Sequence, residues 1–160
     1  MSTDLLAAGV LARTGTGVFT VDVGPRRRDR LVARAAGHGR AGMVPVAFAV
    51  APVPGGPGRR WTRTIGGRRV ATTAVWRPGA LVERLGPLEL TFAAAPAGTG
   101  AVLRLRRAAL VAGPARLPLP RRLTPAITCT TAAVPGGLAV HVEVRSRLGR
   151  RMLAYGGTVT

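Results

Sequence analysis

LAVHVEVRSR, residues Leu138 to Arg147, decides how the chain folds. Along it Leu138, Val140, Val142 and Val144 point one way, and Ala139, His141, Glu143, Arg145 and Arg147 point the other. A period of two, β-branched on its apolar side, describes a strand with one face in a core and one in water. Leu103 and Leu105 oppose Arg104 and Arg106 in the same way, and Val44, Val46, Phe48 and Val50 alternate with smaller residues. From Met43 onward RRWTRTI, RRVATTAVW, ALVERL, LELTFAA, AVLRLRRAALV, AITCTTAAV and RRMLAYGGT supply the remaining strands. Turn signals part them: PVPGGPG after Val50, Gly66 and Gly67 as a hairpin, and further Pro or Gly at short intervals. The pattern predicts a mainly β, α+β fold, an antiparallel meander forming a strongly curved sheet or open barrel.

Upstream of the meander the reading changes. VFTVDV is a strand that stops at Gly24, and Pro25 then suits the first turn of a helix over Arg26 to Ala36, halted by Gly37. Leu31, Val32, Ala35 and Ala36 are its expected apolar stripe. A second short helix is expected over Leu5 to Arg13, begun by Ser2 or Thr3. Late in the chain, LPLPRRLTP and Pro114 bring four prolines close together, too many for a central strand, so an extended connection over the sheet is expected.

At 160 residues the chain fits one domain, 1–160, able to bury a core without disulfides. Its formal charge of +18 comes from 24 arginines, with no lysine, against Asp4, Asp22, Asp29, Glu83, Glu89 and Glu143. Absent Lys and Asn and scarce Ile suit a GC-rich coding sequence, yet the field is real and attracts phosphate, nucleic acid or anionic lipid. Cys129 stands alone in ITCTTAAV and reads as a buried thiol in a reducing compartment. LLAAGVLA follows Asp4 and is only eight residues long, so neither a signal peptide nor a membrane anchor is expected. A cytoplasmic location follows, peripheral to the membrane wherever the positive field meets anionic lipid.

Three chemical motifs fail on context. GHGRAG, Gly37 to Gly42, has dinucleotide-loop spacing but follows a helix and precedes a strand, and no acid stands about 20 residues later. His141 and Glu143 form an HxE, yet one cysteine and His38 cannot complete a zinc site; no metal and no cofactor are expected. The only serines are Ser2 and Ser146, and no nucleophile motif surrounds either, so no catalytic residue is assigned. Glu83 is different. It shares a strand face with Leu81 and Leu85, so in a core it needs a cation, for which Arg63 is the expected partner.

Taken in order, WTRTIGGR, ALVERLGPLELTF, RLPLPRRLTP and GRRMLAYGG give the chain a further feature. It resembles the bacterial family called domain of unknown function 4166. The family pattern is W-x-R-x-[FI]-G-G, a G-x-x-x-E-x-x-G-P hairpin, P-L-P-x-x-L-x-P, and a closing G-x-x-x-x-Y-x-G. Trp61, Arg63, Gly66, Gly67, Gly79, Glu83, Gly86, Pro87, Pro118, Leu119, Pro120, Leu123, Pro125, Gly149, Tyr155 and Gly157 match it, over about residues 40–160. Cys129 and Thr130 stand where the pattern has an acid. The resemblance implies no mechanism; fusions of relatives to dehydrogenase-like or membrane proteins imply an accessory module with such a partner.

A curved sheet encloses an apolar space. The first functional expectation is therefore a non-catalytic module that holds a hydrophobic or amphipathic small molecule, with Trp61, Arg63, Glu83 and Tyr155 lining the site. The second is an arginine-driven binder of nucleic acid or anionic membrane. The third is an enzyme using Glu83 as acid or base and Arg63 to stabilise an anion.

Overall fold

The computed structural model describes residues 14–160; the helix expected over Leu5 to Arg13 lies outside them. The strands are β1 (Thr14–Val23), β2 (Gly42–Pro52), β3 (Arg59–Ile65), β4 (Arg68–Arg77), β5 (Ala80–Leu85), β6 (Leu88–Ala97), β7 (Gly100–Ala112), β8 (Ala115–Pro118), β9 (Ala126–Val134), β10 (Gly137–Arg145) and β11 (Arg151–Val159). All pairings are antiparallel, in the order β6-β5-β4-β3-β2-β1-β11-β10-β9-β7-β8, and β6 also pairs with β7. That last pairing closes ten strands into a barrel and leaves β8 outside, on the flank of β7. The expected curvature thus runs to full closure, which removes the exposed edges of an open sheet.

Alternation assigns each strand an inward row, and the register stacks these rows across neighbours. Val142 lies opposite both Tyr155 and Cys129, and Leu103 lies opposite Cys129 and Ala94. In β7 the phase is reset by a bulge, where Thr91 faces Arg107 while Phe92 faces Leu105. Arg106 takes the extra position, so Ala108 returns to the interior. The proline-rich connection gives a short edge strand, β8, and a 3-10 turn over Arg121–Leu123 rather than plain extended chain. A strand that pairs on one side only tolerates Pro118 at its end.

The helix α1 (Arg27–Ala35) joins β1 to β2 and covers one mouth of the barrel. Its buried face differs from the expected stripe. Ala33 packs with Val21, Val144 and Leu153, supported by Val32 and Ala36, whereas Leu31 is exposed and so is Ala35. The reason is Asp29, which is fully buried and turns the helix by its own anchoring. Arg150, in the β10–β11 turn, donates from Nη1 to Asp29 Oδ2 at 2.6 Å and from Nη2 to Oδ1 at 2.8 Å. The Arg26 N–H donates to Oδ2 at 3.1 Å, closing the helix N-terminus.

Arg150 holds the Asp29 carboxyl below its ordinary value of 3.8 despite burial. A depressed carboxyl stabilises the fold above the unfolded value, and that contribution is lost as pH falls through the folded one. Asp29→Asn is expected to cost about 3 kcal/mol at pH 7 in urea unfolding. The variant should also lack part of the wild type's loss of stability below pH 4; equal acid limbs in the two proteins would refute the assignment.

Candidate functional site

Four sequence-predicted residues, Trp61, Arg63, Glu83 and Tyr155, all belong to inward rows. Arg63 on β3 and Glu83 on β5 are separated by β4, yet their side chains form an ion pair. Two strand spacings are about 10 Å, within the combined reach of the two side chains. Ala74 on β4 sits directly opposite Glu83, and its small methyl leaves room for the guanidinium to cross. Arg63 Nη2 also donates to Thr72 Oγ1 at 3.0 Å, so β4 contributes a buried hydroxyl. The expected pairing is therefore present, with a third member that alternation alone did not pick out.

Although both side chains point inward, Arg63 keeps 30% of its side-chain accessibility and Glu83 keeps 16%. The pair thus remains partly accessible. Leu90, Leu103 and Leu105 face the same interior and are only partly buried. The remaining wall is aromatic: Trp61 and Trp76 pack around buried Ala74, Leu81 and Phe92, and Phe48 stacks on Trp61 with ring centroids 6.5 Å apart. The indole Nε1 atoms of Trp61 and Trp76 are buried and without a partner. An unpaired buried donor costs about 1–3 kcal/mol.

His38 is the residue that sequence reasoning missed. In GHGRAG it reads as part of a glycine-rich helix stop, and its backbone does play that part, the His38 N–H donating to the Ala33 carbonyl at 2.8 Å. Gly37, at φ +90°, turns the chain inward there. The imidazole, 1% exposed, lies against the Tyr155 ring with centroids 4.0 Å apart, and neither of its nitrogens has a partner. No local signal separates such a histidine from a solvated one; only the covering of the mouth by α1 buries it. His141, by contrast, lies on the outward face of β10, and Glu143 pairs with Arg145 at 2.8 Å.

Burial governs the chemistry of this interior. It pushes His38 down to about 4, with Arg63 adding to the shift. It pushes Cys129 up to about 11 and Tyr155 up to about 12, Arg63 opposing both. Glu83 raises Arg63 in turn. Near neutral pH the imidazole, thiol and phenol are all uncharged. Among the described residues no group of three His, Cys, Asp or Glu is placed to hold a metal ion. A shallow groove also runs over the outside of β1, β9, β10 and β11, but its charges, Asp22 and Arg151, are exposed and pair with each other at 2.8 Å.

Two groups of motif positions have a plain structural role. Gly66, Gly67, Gly79, Gly86 and Gly149 all have positive φ in turns, while Trp61, Arg63, Glu83 and Tyr155 line the interior. A family model described as Domain of unknown function (DUF4166) matches residues 8–159. The chain belongs to the DUF4166 family. No curated protein and no solved structure matches it. The DUF4166 match begins well before residue 40, so β1 and α1, which carry Phe19 and the approach to His38, are part of the family unit.

For this DUF4166 chain the His38 environment has a direct readout. The folded value is depressed, so the unfolded state binds more protons between pH 6.5 and 4, and stability falls as pH drops through that window. NMR titration should show the His38 imidazole still neutral at pH 5. Titration of His38 near its ordinary 6.5 would show that the interior is open to bulk water.

Proposed function

We propose that the barrel is a non-catalytic binding module for an amphipathic small molecule whose head group is uncharged and accepts hydrogen bonds. The observation that carries this reading is the pair of buried, unpartnered indole N–H groups, Trp61 and Trp76, on the same inward face as the partly accessible Arg63–Glu83 pair. Apolar walls favour a hydrocarbon portion, at about 25 cal/mol per Å² buried, and a few fixed polar groups set its orientation. Arg63 is already neutralised by Glu83, so the site offers an anion no uncompensated charge. An acceptor such as a hydroxyl or carbonyl oxygen satisfies the indoles without that requirement.

The protonation states support binding over catalysis. General acid–base work at neutral pH favours a group titrating near 7, and the values of about 4, 11 and 12 for His38, Cys129 and Tyr155 lie far from it. With a single cysteine the module suits a reducing compartment, the cytoplasm.

Both tryptophans of the chain lie at the proposed site, so intrinsic fluorescence reports on it directly. Nile red, a neutral apolar acceptor dye, should bind saturably with energy transfer from tryptophan. Decanol should displace it better than decanoate does. Glu83→Gln leaves Arg63 uncompensated and should reverse that order. Absence of saturable dye binding overturns the reading, and an unchanged preference in Glu83→Gln removes the ion pair from the site.

A further inference from the structure

The +18 charge is unevenly placed. Each of the five acids in the described residues pairs with one arginine: Asp22 with Arg151, Asp29 with Arg150, Glu83 with Arg63, Glu89 with Arg116 and Glu143 with Arg145. The other described arginines have no acid in contact, and the up-and-down topology says where they lie. In an antiparallel meander the connections alternate between the two ends of the barrel. The end covered by α1 also receives the β3–β4 turn, the 3-10 turn before β9 and the β10–β11 turn. It therefore collects Arg27, Arg28, Arg30 and Arg34 of the helix, Arg68 and Arg69, Arg121 and Arg122, and Arg147. The opposite end, formed by the β2–β3, β4–β5, β6–β7 and β9–β10 connections, has Arg59, Arg60 and Arg77.

The same end exposes large apolar side chains. Leu148 in the β10–β11 turn is 92% exposed, Met43 at the start of β2 78%, Leu123 in the 3-10 turn 68% and Leu31 on the outer face of α1 64%. None is required by the core, since Asp29, Val32, Ala33 and Ala36 fill the inner face of α1 and Leu153 and Val144 complete it. Arginine mixed with solvent-exposed Leu and Met matches the two-part chemistry of a bilayer interface, where anionic head groups lie over hydrocarbon. A phosphate backbone would need the arginines alone, and among the aromatics of the chain Trp61, Trp76, Phe48, Phe92, Phe19 and Tyr155 all belong to inward rows, leaving none for base stacking.

We infer that the α1-covered end is a docking surface for an anionic lipid bilayer, on which the barrel stands with its helix-covered mouth toward the membrane. Arginine guanidinium groups engage the anionic head groups, and Leu31, Met43, Leu123 and Leu148 enter the interface beneath them. The docking does not depend on what the barrel holds, so the two readings fail separately.

The test is co-sedimentation with vesicles of phosphatidylcholine alone or with 30% phosphatidylserine. Binding is expected only to the anionic vesicles and should weaken as salt rises. Arg30→Gln with Arg34→Gln should lower the partition coefficient about fivefold per arginine. Leu31→Ser with Leu148→Ser should lower it as well, whereas Arg59→Gln with Arg60→Gln, equal in charge but at the other end, should change it little. All six positions are exposed, and circular dichroism checks that each variant is folded. No binding to anionic vesicles at low salt overturns the inference. So does binding that ignores the leucines, that responds equally to arginines at either end, or that a single-stranded RNA oligonucleotide reproduces with the same dependence on residue.

Discussion

Everything in this molecule depends on how closely β1 and β11 approach. Chain-distant Thr16 and Thr160 exchange a reciprocal pair of backbone hydrogen bonds, each 2.9 Å, which tie the first and last described strands together. Beside them Gly17 and Gly157 sit where a Cβ would collide with the carbonyls of Thr158 and Val18 on the facing strand. A side chain at either position would push the strands apart. With hydrogen there instead, the sheet curls tightly enough for the two ends of the meander to pair, and every alternating row becomes the lining of one enclosed space.

Closure then dictates what a polar inward residue has to do. Glu83 is less accessible than it would be on an open sheet, and it pairs with Arg63 across an intervening strand that offers Ala74 and the hydroxyl of Thr72. Asp29 obeys the same rule at the mouth, where Arg150 gives it a bidentate partner. One pair fixes the interior, and the other fixes the covering helix. Each neutralises itself, so the excess positive charge is carried at the surface. His38, Trp61 and Trp76 do not obey the rule, since their buried nitrogens lack partners.

Much of this was legible in the sequence because β structure writes its burial with a period of two. Leu138, Val140, Val142 and Val144 declare their face without knowing their neighbours, and Leu81, Glu83 and Leu85 do the same, which is why the Arg63–Glu83 pair could be expected. Turns were legible for a similar reason, since Gly66 and Gly67 can take the positive φ that other residues resist. The helix was legible in extent but not in facing. Its apolar residues suggest one stripe, and the buried charge of Asp29, whose partner lies 121 residues away, selects another.

The sequence by itself determined strand and turn positions, the inward rows and the presence of one charge that needed a partner, because these rest on local geometry and on alternation. Tertiary structure decided closure, the burial of His38, the meeting of Arg63 with Glu83 and Thr72, and the gathering of arginines and exposed leucines at one end. Those properties depend on which strands meet and which mouth the helix covers. Residues far apart in the chain acquire such relations only when the barrel closes.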